Sequence, residues 1–551
     1  MDTTMMNGTL FARMVRNGAA NLNKSRAIVN DLNVFPIPDG DTGDNMFMTM
    51  ESGSVAVKDY KDLPLEEISS KVARGMLLGA RGNSGVILSR IFAGIARGFL
   101  GNGTADIYAV AKAFECGVTE SYSAVSAPVE GTILTVYKDA VTYANSRIRD
   151  NSTLEEYFED FIRELRLSLE RTPDLLAVLK EAGVVDSGGA GFVYIVEGMR
   201  TALDGTDIEV GGSEVSVGAS ILDTSSFTKD SVLEFGYCME FLLQLQSCKT
   251  DVDAFDENQL ISYLNRVGES IVAFREGSII KVHVHTMCPG EILNYCQQYG
   301  EFLTLKLENM MLQHHATTIR NAFEVAPKKP HKKYGIVTVA AGKGIKETFS
   351  SLGADVVIDG GQSMNPSAED FIEAFKTLNA DYILIFPNNS NIILTAKQAA
   401  ALYEEAEVRV ISNRTVGEGY AALSMLDTSL DDVNDVIAEV DDIISNVVTG
   451  SVSKANRDTE KDGLVIHRGD YIGFVDDTIY VDSDTAEDSS LKLCEVLHAE
   501  KYDIMLLICG QEPSAENADH LFHTLQQKYK KTEIIMIDGG QPIFDYLIIL
   551  E

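Results

Sequence analysis

Up to about residue 204, apolar residues recur three and four positions apart and alternating β-branched runs are scarce. About eight amphipathic helices are predicted there, among them KVARGMLLGA, GVILSRIFAGIARGF and GFVYIVEGMRTAL. A stretch rich in glycine and serine, GTDIEVGGSEVSVGAS at 205–220, then reads as a linker. Across 231–327 the period switches to two. A strand (EFGYCMEFLLQL) and a helix (DENQLISYLNRV) are followed by two strands (SIVAFRE, SIIKVHVHT), a helix (GEILNYCQQY) and a last strand (FLTLKL). That order predicts a small α+β domain of the ferredoxin-like, split β-α-β kind. After a basic link, APKKPHKKY at 326–334, buried-type strands (GIVTVAA, DVVIDG, YILIFP, VRVIS, IMLLIC, EIIMID) alternate with helices, which predicts an α/β domain with a mostly parallel sheet. The tetrapeptide DGGQ closes a strand twice, at Asp359–Gln362 and Asp538–Gln541, a weak echo of two related halves. The expected architecture is therefore multidomain: an all-α domain over 1–204, linker plus α+β domain over 205–327, and an α/β domain over 328–551.

Composition narrows the function classes. No run of eighteen apolar residues occurs, and the N-terminal MDTTMMNGTLFARM has no signal-peptide hydrophobic region, so a cytoplasmic chain without an integral membrane segment is expected. Seven scattered cysteines argue against a disulfide framework. With 46 basic against 82 acidic residues, a net of −36, the chain repels nucleic acid and anionic membranes. It can still bind an anionic substrate if metal ions and backbone amides do the neutralising.

The sharpest motif is NVFPIPDGDTGDN at 33–45, which crowds Asp39, Asp41 and Asp44 into six positions. In an extended segment Asp39 and Asp41 point the same way, their Cα atoms roughly 7 Å apart, a spacing that suits hard divalent cations. A helix start follows, with Thr42 or Asp44 as its cap. The same design recurs in GARGNSGVIL with Asn83 and Ser84, in PVEGTILT with Gly131 and Thr132, and in GVVDSGGAGFV with Asp186, Ser187 and Gly188. Singly each is read as a cap and a turn. Jointly, four glycine-containing loops opening helices, two of them with aspartates, are what a cage around a nucleotide triphosphate requires. No Walker-type loop occurs: AAGKGIKET at 340–348 lacks the upstream glycine and the hydroxyl, and VGEGYAAL at 416–423 is a chance dinucleotide fingerprint.

NVFPIPDGDTGDNM, GARGNSGVIL, PVEGTILTV and VVDSGGAGF resemble the ATP-binding domain of dihydroxyacetone kinases of the L-subunit type. In wording and order they are closer still to the catalytic subunit of bacterial fatty acid kinase. The resemblance extends to FGYCMEF and KVHVHT in the middle, and to GDYIGF and IDGGQPIFDYLIILE at the end. It implies an all-helical barrel of the DhaL kind holding ATP and two magnesium ions, a middle domain, and a C-terminal domain that engages a partner. That partner is a separate fatty-acid-binding carrier protein that presents a carboxylate for phosphorylation; a homodimer is also implied. By position, Asp39 and Asp41 match the metal-binding, catalytic aspartates, and Thr42, Gly43, Asp44 and Asn45 the loop that meets the phosphates. Asn83 and Ser84, Gly131 and Thr132, and Asp186, Ser187 and Gly188 match the other nucleotide loops. The dihydroxyacetone enzymes have a third aspartate upstream, where this chain has Asn33 with Asp31 two before it. The third ligand is left open. Asp44 stands where relatives often have threonine.

A fatty acid carboxylate is ionised near neutral pH, its pKa resembling the ~4 of side-chain carboxyls, so its transfer needs no base. The first 204 residues contain no histidine, which favours such an acceptor over a hydroxyl. The alternatives are a kinase of small hydroxylated compounds such as dihydroxyacetone, and an ATP-regulated scaffold without catalysis. In the middle domain His283 and His285 alternate along KVHVHT, and Cys238 and Glu240 share a face of FGYCMEF. Two imidazoles and a thiolate suit zinc, with Cys288 as a rival ligand; surface histidines and a core cysteine are the plain alternative. The resemblance, in which this Cys and the HVH recur, favours zinc. His314 and His315 are expected at a surface or interface.

Overall fold

The computed structural model describes residues 3–32, 40–58, 60, 63–125, 127–208, 237–252, 255–276, 278–309, 331–361 and 364–551. These form two compact units, 1–212 with 328–551, and 213–327.

In the first unit the N-terminal region carries helices α1 (Gly8–Asn30), α2 (Thr42–Val55), α3 (Leu65–Leu78), α4 (Gly82–Gly98), α5 (Ile107–Ser123), α6 (Ile133–Ser146), α7 (Leu154–Leu175), α8 (Ala177–Ala182) and α9 (Ser187–Thr201). Two-residue strands β1 (Met6–Asn7) and β2 (Thr104–Ala105) pair antiparallel, a small departure from an all-helical domain. Helix α1 packs on α9, α2 and α3; α3 on α4, α4 on α5, α5 on α6, and α6 on α9, closing a ring. Its centre is one continuous apolar cluster, in which Phe114 meets Tyr157, Phe158 and Phe161 edge-on. The Tyr137 hydroxyl, fully buried, donates to Phe114 O at 2.9 Å, so the core holds no orphaned phenol there. Helix α7 begins with a capping box: Thr153 accepts from Glu156 N, and Glu156 from Thr153 N.

The second unit contains β3 (Tyr237–Leu245), α10 (Glu257–Val267), β4 (Glu269–Glu276), β5 (Ile279–Thr286), α11 (Pro289–Gln297) and β6 (Gly300–Asn309). Its sheet runs β4-β5-β3-β6, every pair antiparallel. Met239, Phe241, Val282 and Val284 bury one face together with Leu260, Leu264 and Ile292 from the helices.

Residues 331–551 build five layers. Parallel strands β7 (Lys332–Ala340), β8 (Val356–Asp359), β9 (Ala380–Phe386) and β10 (Glu407–Val410) lie in the order β10-β9-β7-β8. Phe371 and Phe375 of α13 (Ala368–Lys376) and Ile392 of α14 (Ser390–Leu402) cover one face. On the other face, α12 (Lys343–Ser351), α15 (Val416–Ser424) and α16 (Val433–Ser445) are shared with a second sheet. That sheet holds β11 (Val448–Lys454), β14 (Tyr471–Val475), β15 (Thr478–Ser483), β16 (Ile504–Cys509), β17 (Glu533–Asp538) and β18 (Phe544–Leu550), in the order β15-β14-β11-β18-β16-β17. Strands β12 (Thr459–Lys461) and β13 (Leu464–Ile466) form a separate ribbon, and α17 (Ala486–Val496) and α18 (Ala515–Lys528) close the outside. In the second sheet β16–β17 is the parallel pair and the rest are antiparallel, so the expectation of a mostly parallel sheet holds for the first sheet and fails for the second. Strands covered on both faces read as unbroken apolar runs whatever their direction. Strand β7 also begins inside the basic stretch taken for a link.

Candidate functional site

Asp41 occupies the N-cap position of α2 with no side-chain cap bond, and Asn45 N returns to its carbonyl at 2.8 Å. The capping expected of Thr42 or Asp44 comes instead from Asn30, at the end of α1. Asn30 Oδ1 accepts from Gly43 N at 2.7 Å and from Asp44 N at 3.3 Å, while its Nδ2 donates to Asp44 Oδ2 at 2.6 Å. The other Asp44 oxygen pairs with Arg26 Nε at 3.2 Å, and that guanidinium lies over the Phe47 ring. Asp44, then, is tied to α1 by charge and hydrogen bond. A side chain at Gly43 would strike the Arg26 carbonyl, which lets the two helices meet this closely.

The other predicted loops arrive at the same place. Ser187, first residue of α9, donates to Thr42 Oγ1 at 3.3 Å. Asp186 caps α9 by accepting from Gly189 N at 2.7 Å and is also bonded by the Ile133 amide that opens α6. Burial outweighs these two bonds and pushes its carboxyl up to about 6. Gly188 lies against Asp186 and Ile133. Gly82 opens α4 with φ +58°, and a Cβ there would sit 2.6 Å from Asn45 Nδ2, so α4 starts against the first turn of α2. Asn83 is exposed in that turn with Ser84 beside it, half-buried. Gly131, at φ +86°, precedes Thr132, the N-cap of α6, whose hydroxyl donates to Val129 O at 2.8 Å. Four helix starts predicted separately therefore converge. Asn33, Asp39, His314 and His315 lie outside the described residues, as does the predicted linker from 209 onward. Asp41 is thus the described member of the aspartate pair, and among the side chains the structure describes, which do not include those of Cys238, His283 and His285, no group of three acidic, histidine or cysteine residues is placed to hold a metal.

Sequence reading missed the contribution of the C-terminal region. Asn365, 1% exposed, donates from Nδ2 to Asp41 Oδ2 at 2.5 Å. Arg81 Nη1 donates to Asn365 O at 2.7 Å, and Asn83 Nδ2 to Asn391 Oδ1 at 3.3 Å. Asn391 also lines a cavity of about 450 Å³ at the carboxyl ends of the parallel strands, with Gly360, Asn389, Arg414, Asp476 and Gln541. No local signal marks these residues. The glycines of VGEGYAAL serve packing: Gly417 lies against Thr449 and Ile549, and Gly419 against Asn388 and Asn413.

In the second unit, backbone register sets Cys238 opposite His285, and Glu240 opposite His283. The neighbouring strands extend these rows to Glu269–His285–Cys238–Glu308 and Val272–His283–Glu240–Lys306. Along the strands these positions alternate with Met239, Phe241, Val282 and Val284, whose side chains are buried. Cys288 precedes α11 and is exposed.

The helical domain is of the DAK2 class, whose family model matches residues 36–201. Models for the middle and C-terminal domains of FakA-like fatty acid kinase proteins match 234–317 and 335–551. The chain belongs to the FakA-like fatty acid kinase family. It is 37% identical over 551 residues to an uncharacterized protein of Staphylococcus aureus (strain USA300), covering 99% of each chain. It is 38% identical over 559 residues to protein YloV of Bacillus subtilis (strain 168), covering 100% of each. Among solved structures, a fatty-acid-binding DegV family protein from Thermus thermophilus aligns with 40% of this chain and 100% of its own at 14% identity and a TM-score of 0.31. No described helix is long and apolar enough to cross a membrane.

Proposed function

We propose that the chain transfers the terminal phosphoryl group of ATP to a fatty acid carboxylate presented by a separate fatty-acid-binding protein, leaving an acyl phosphate. The observation that carries this is the meeting of the α2, α4, α6 and α9 starts around Asp41. The donor set fits a metal-bound triphosphate. Asp41, with Asp39 two residues before it, offers carboxylate oxygens to magnesium, and the starts of α4, α6 and α9 bring the positive ends of their dipoles to the phosphate oxygens, while Asn30 and Asp186 already take up the amides of Gly43, Asp44, Ile133 and Gly189. Magnesium, when bound, neutralises the phosphate oxygens and aligns the group in transit. The helix starts orient the nucleotide, and Asp186 braces two of them against each other. In the transfer a carboxylate oxygen bonds to phosphorus as the bond to the ADP oxygen breaks. No proton has to leave the acceptor, consistent with a helical domain that holds no histidine.

The test incubates the protein with magnesium and ATP, and with either a fatty acid on its carrier or dihydroxyacetone. Hydroxylamine traps the acyl phosphate. The expected outcome is hydroxamate with the loaded carrier alone, reduced at least about a hundredfold in Asp41→Ala with circular dichroism unchanged. Phosphorylation of dihydroxyacetone without a carrier would establish the small-substrate reading. Nucleotide binding with no transfer in either arm would establish the scaffold.

Zinc is proposed at Cys238, His283 and His285, in a structural or docking role supported by the cross-strand register. One zinc per chain is expected by elemental analysis, and a metal-free preparation that keeps its fold and activity refutes it. The same sheet order, with its two helices, supports reading the middle domain as a ferredoxin-like split unit.

A further inference from the structure

We propose that Asn365 is a positioning residue of this phosphoryl-transfer site, holding the Asp41 carboxylate for its cation, so that the site is assembled from both ends of the chain. The inference rests on the function proposed above. The segment between β8 and α13 reaches the starts of α2 and α4 and is fixed there through its main chain. Arg81 forms an antiparallel bridge with Ser367, and Ala368 N donates to Ala80 O at 3.3 Å. Arg81 Nη1 donates to Asn365 O at 2.7 Å and lies 3.6 Å from Asp370 Oδ2. A Cβ at Gly82 would come within 3.2 Å of Asn365 Nδ2, so the three elements meet where no side chain fits.

With its backbone anchored, Asn365 turns its amide nitrogen to Asp41 Oδ2 at 2.5 Å. A neutral donor occupies one acceptor direction of that oxygen and sets the plane of the carboxylate. It leaves the negative charge intact for a cation, which a lysine or arginine at the same place would cancel. A second observation points to a missing ligand. Asn365 Oδ1 is buried with no hydrogen-bond partner among the described residues, in a side chain 1% exposed. A buried acceptor beside a carboxylate is what a cation or its bound water would satisfy.

The experiment uses the full chain, Asn365→Ala and the isosteric Asn365→Asp. Binding of manganese with a non-hydrolysable ATP analogue is followed by electron paramagnetic resonance and calorimetry. Wild type is expected to bind, and Asn365→Ala to lose about 10- to 100-fold in manganese affinity while keeping its circular dichroism. Asn365→Asp sets two carboxylates against each other. Its melting temperature is expected to fall in chelator and to recover with manganese by more than wild type gains. A contact that only docks the loop gives no such metal-dependent recovery. If Asn365→Ala does not fold, the Asn365→Asp melts decide alone. Wild-type binding with both variants within twofold overturns the role of Asn365 and leaves the kinase reading standing. Failure of wild type to bind manganese and nucleotide overturns both.

Discussion

Asp186 sits where α6 and α9 begin, and two backbone amides favour its ionised form, yet burial wins and its carboxyl is pushed up to about 6 from an ordinary 3.8. Below pH 4 both folded and unfolded chains carry the proton. Between about pH 4 and 6 the unfolded chain loses it while the folded one keeps it, so this group's contribution to stability falls as pH rises. Asp186→Asn, which still caps, removes that decline. Its stability relative to wild type is expected to rise from pH 4 to 7 and then level off, below a ceiling of about 3 kcal/mol, by urea denaturation at each pH. Asn30 makes the opposite case. Truncation to Ala strips an acceptor from two amides of α2 and a donor from Asp44, and should cost about 1–2 kcal/mol in the same assay. Asp186 was legible in the sequence because a polar residue, glycines and an apolar run make a local pattern. Asn30 and Asn365 were not, since their roles come from partners 13 and 324 residues away.

Helix starts carry the site, and their placement depends on backbone that only glycine adopts cheaply. Gly82→Ala forces an L residue to φ +58° and sets its Cβ against Asn45, within the first turn of α2. A loss of about 2 kcal/mol or more is expected, read as a drop of several degrees in melting temperature; an unchanged melt would mean that α4 starts elsewhere in solution. Element type followed from periodicity, and strand direction did not. In the second C-terminal sheet the two-residue turn Asp476-Asp477 joins the antiparallel β14 and β15, and in the separate ribbon Asp462-Gly463 joins β12 to β13. The aspartate–glycine pair, with both residues at positive φ, is a hairpin signal that was there to be read. The aspartate pair has no such glycine.

At the scale of the whole molecule, the helical region and the C-terminal layers form one compact unit, although the 115 residues 213–327 separate them in the sequence. Helix α14 packs on α4, and Gln398, 3% exposed, is a buried polar link between them. Its Nε2 donates to Leu77 O at 2.6 Å and its Oε1 accepts from Arg90 Nε at 3.2 Å. Leu77 O belongs to the last turn of α3, where carbonyls have no partner within the helix, so the glutamine supplies what α3 cannot. Gln398→Leu keeps the volume close but strands that carbonyl, at a cost of about 1–3 kcal/mol, and takes the Nε partner from Arg90, whose guanidinium keeps Glu120. Because both groups lie on the far side of the interface, the variant should loosen α3 and α4 as much as α14. Hydrogen exchange is expected to rise in all three helices together, with a lower melting temperature. Faster exchange confined to α14 would mean that the two ends of the chain fold independently, and a site shared between them would then have no rigid frame.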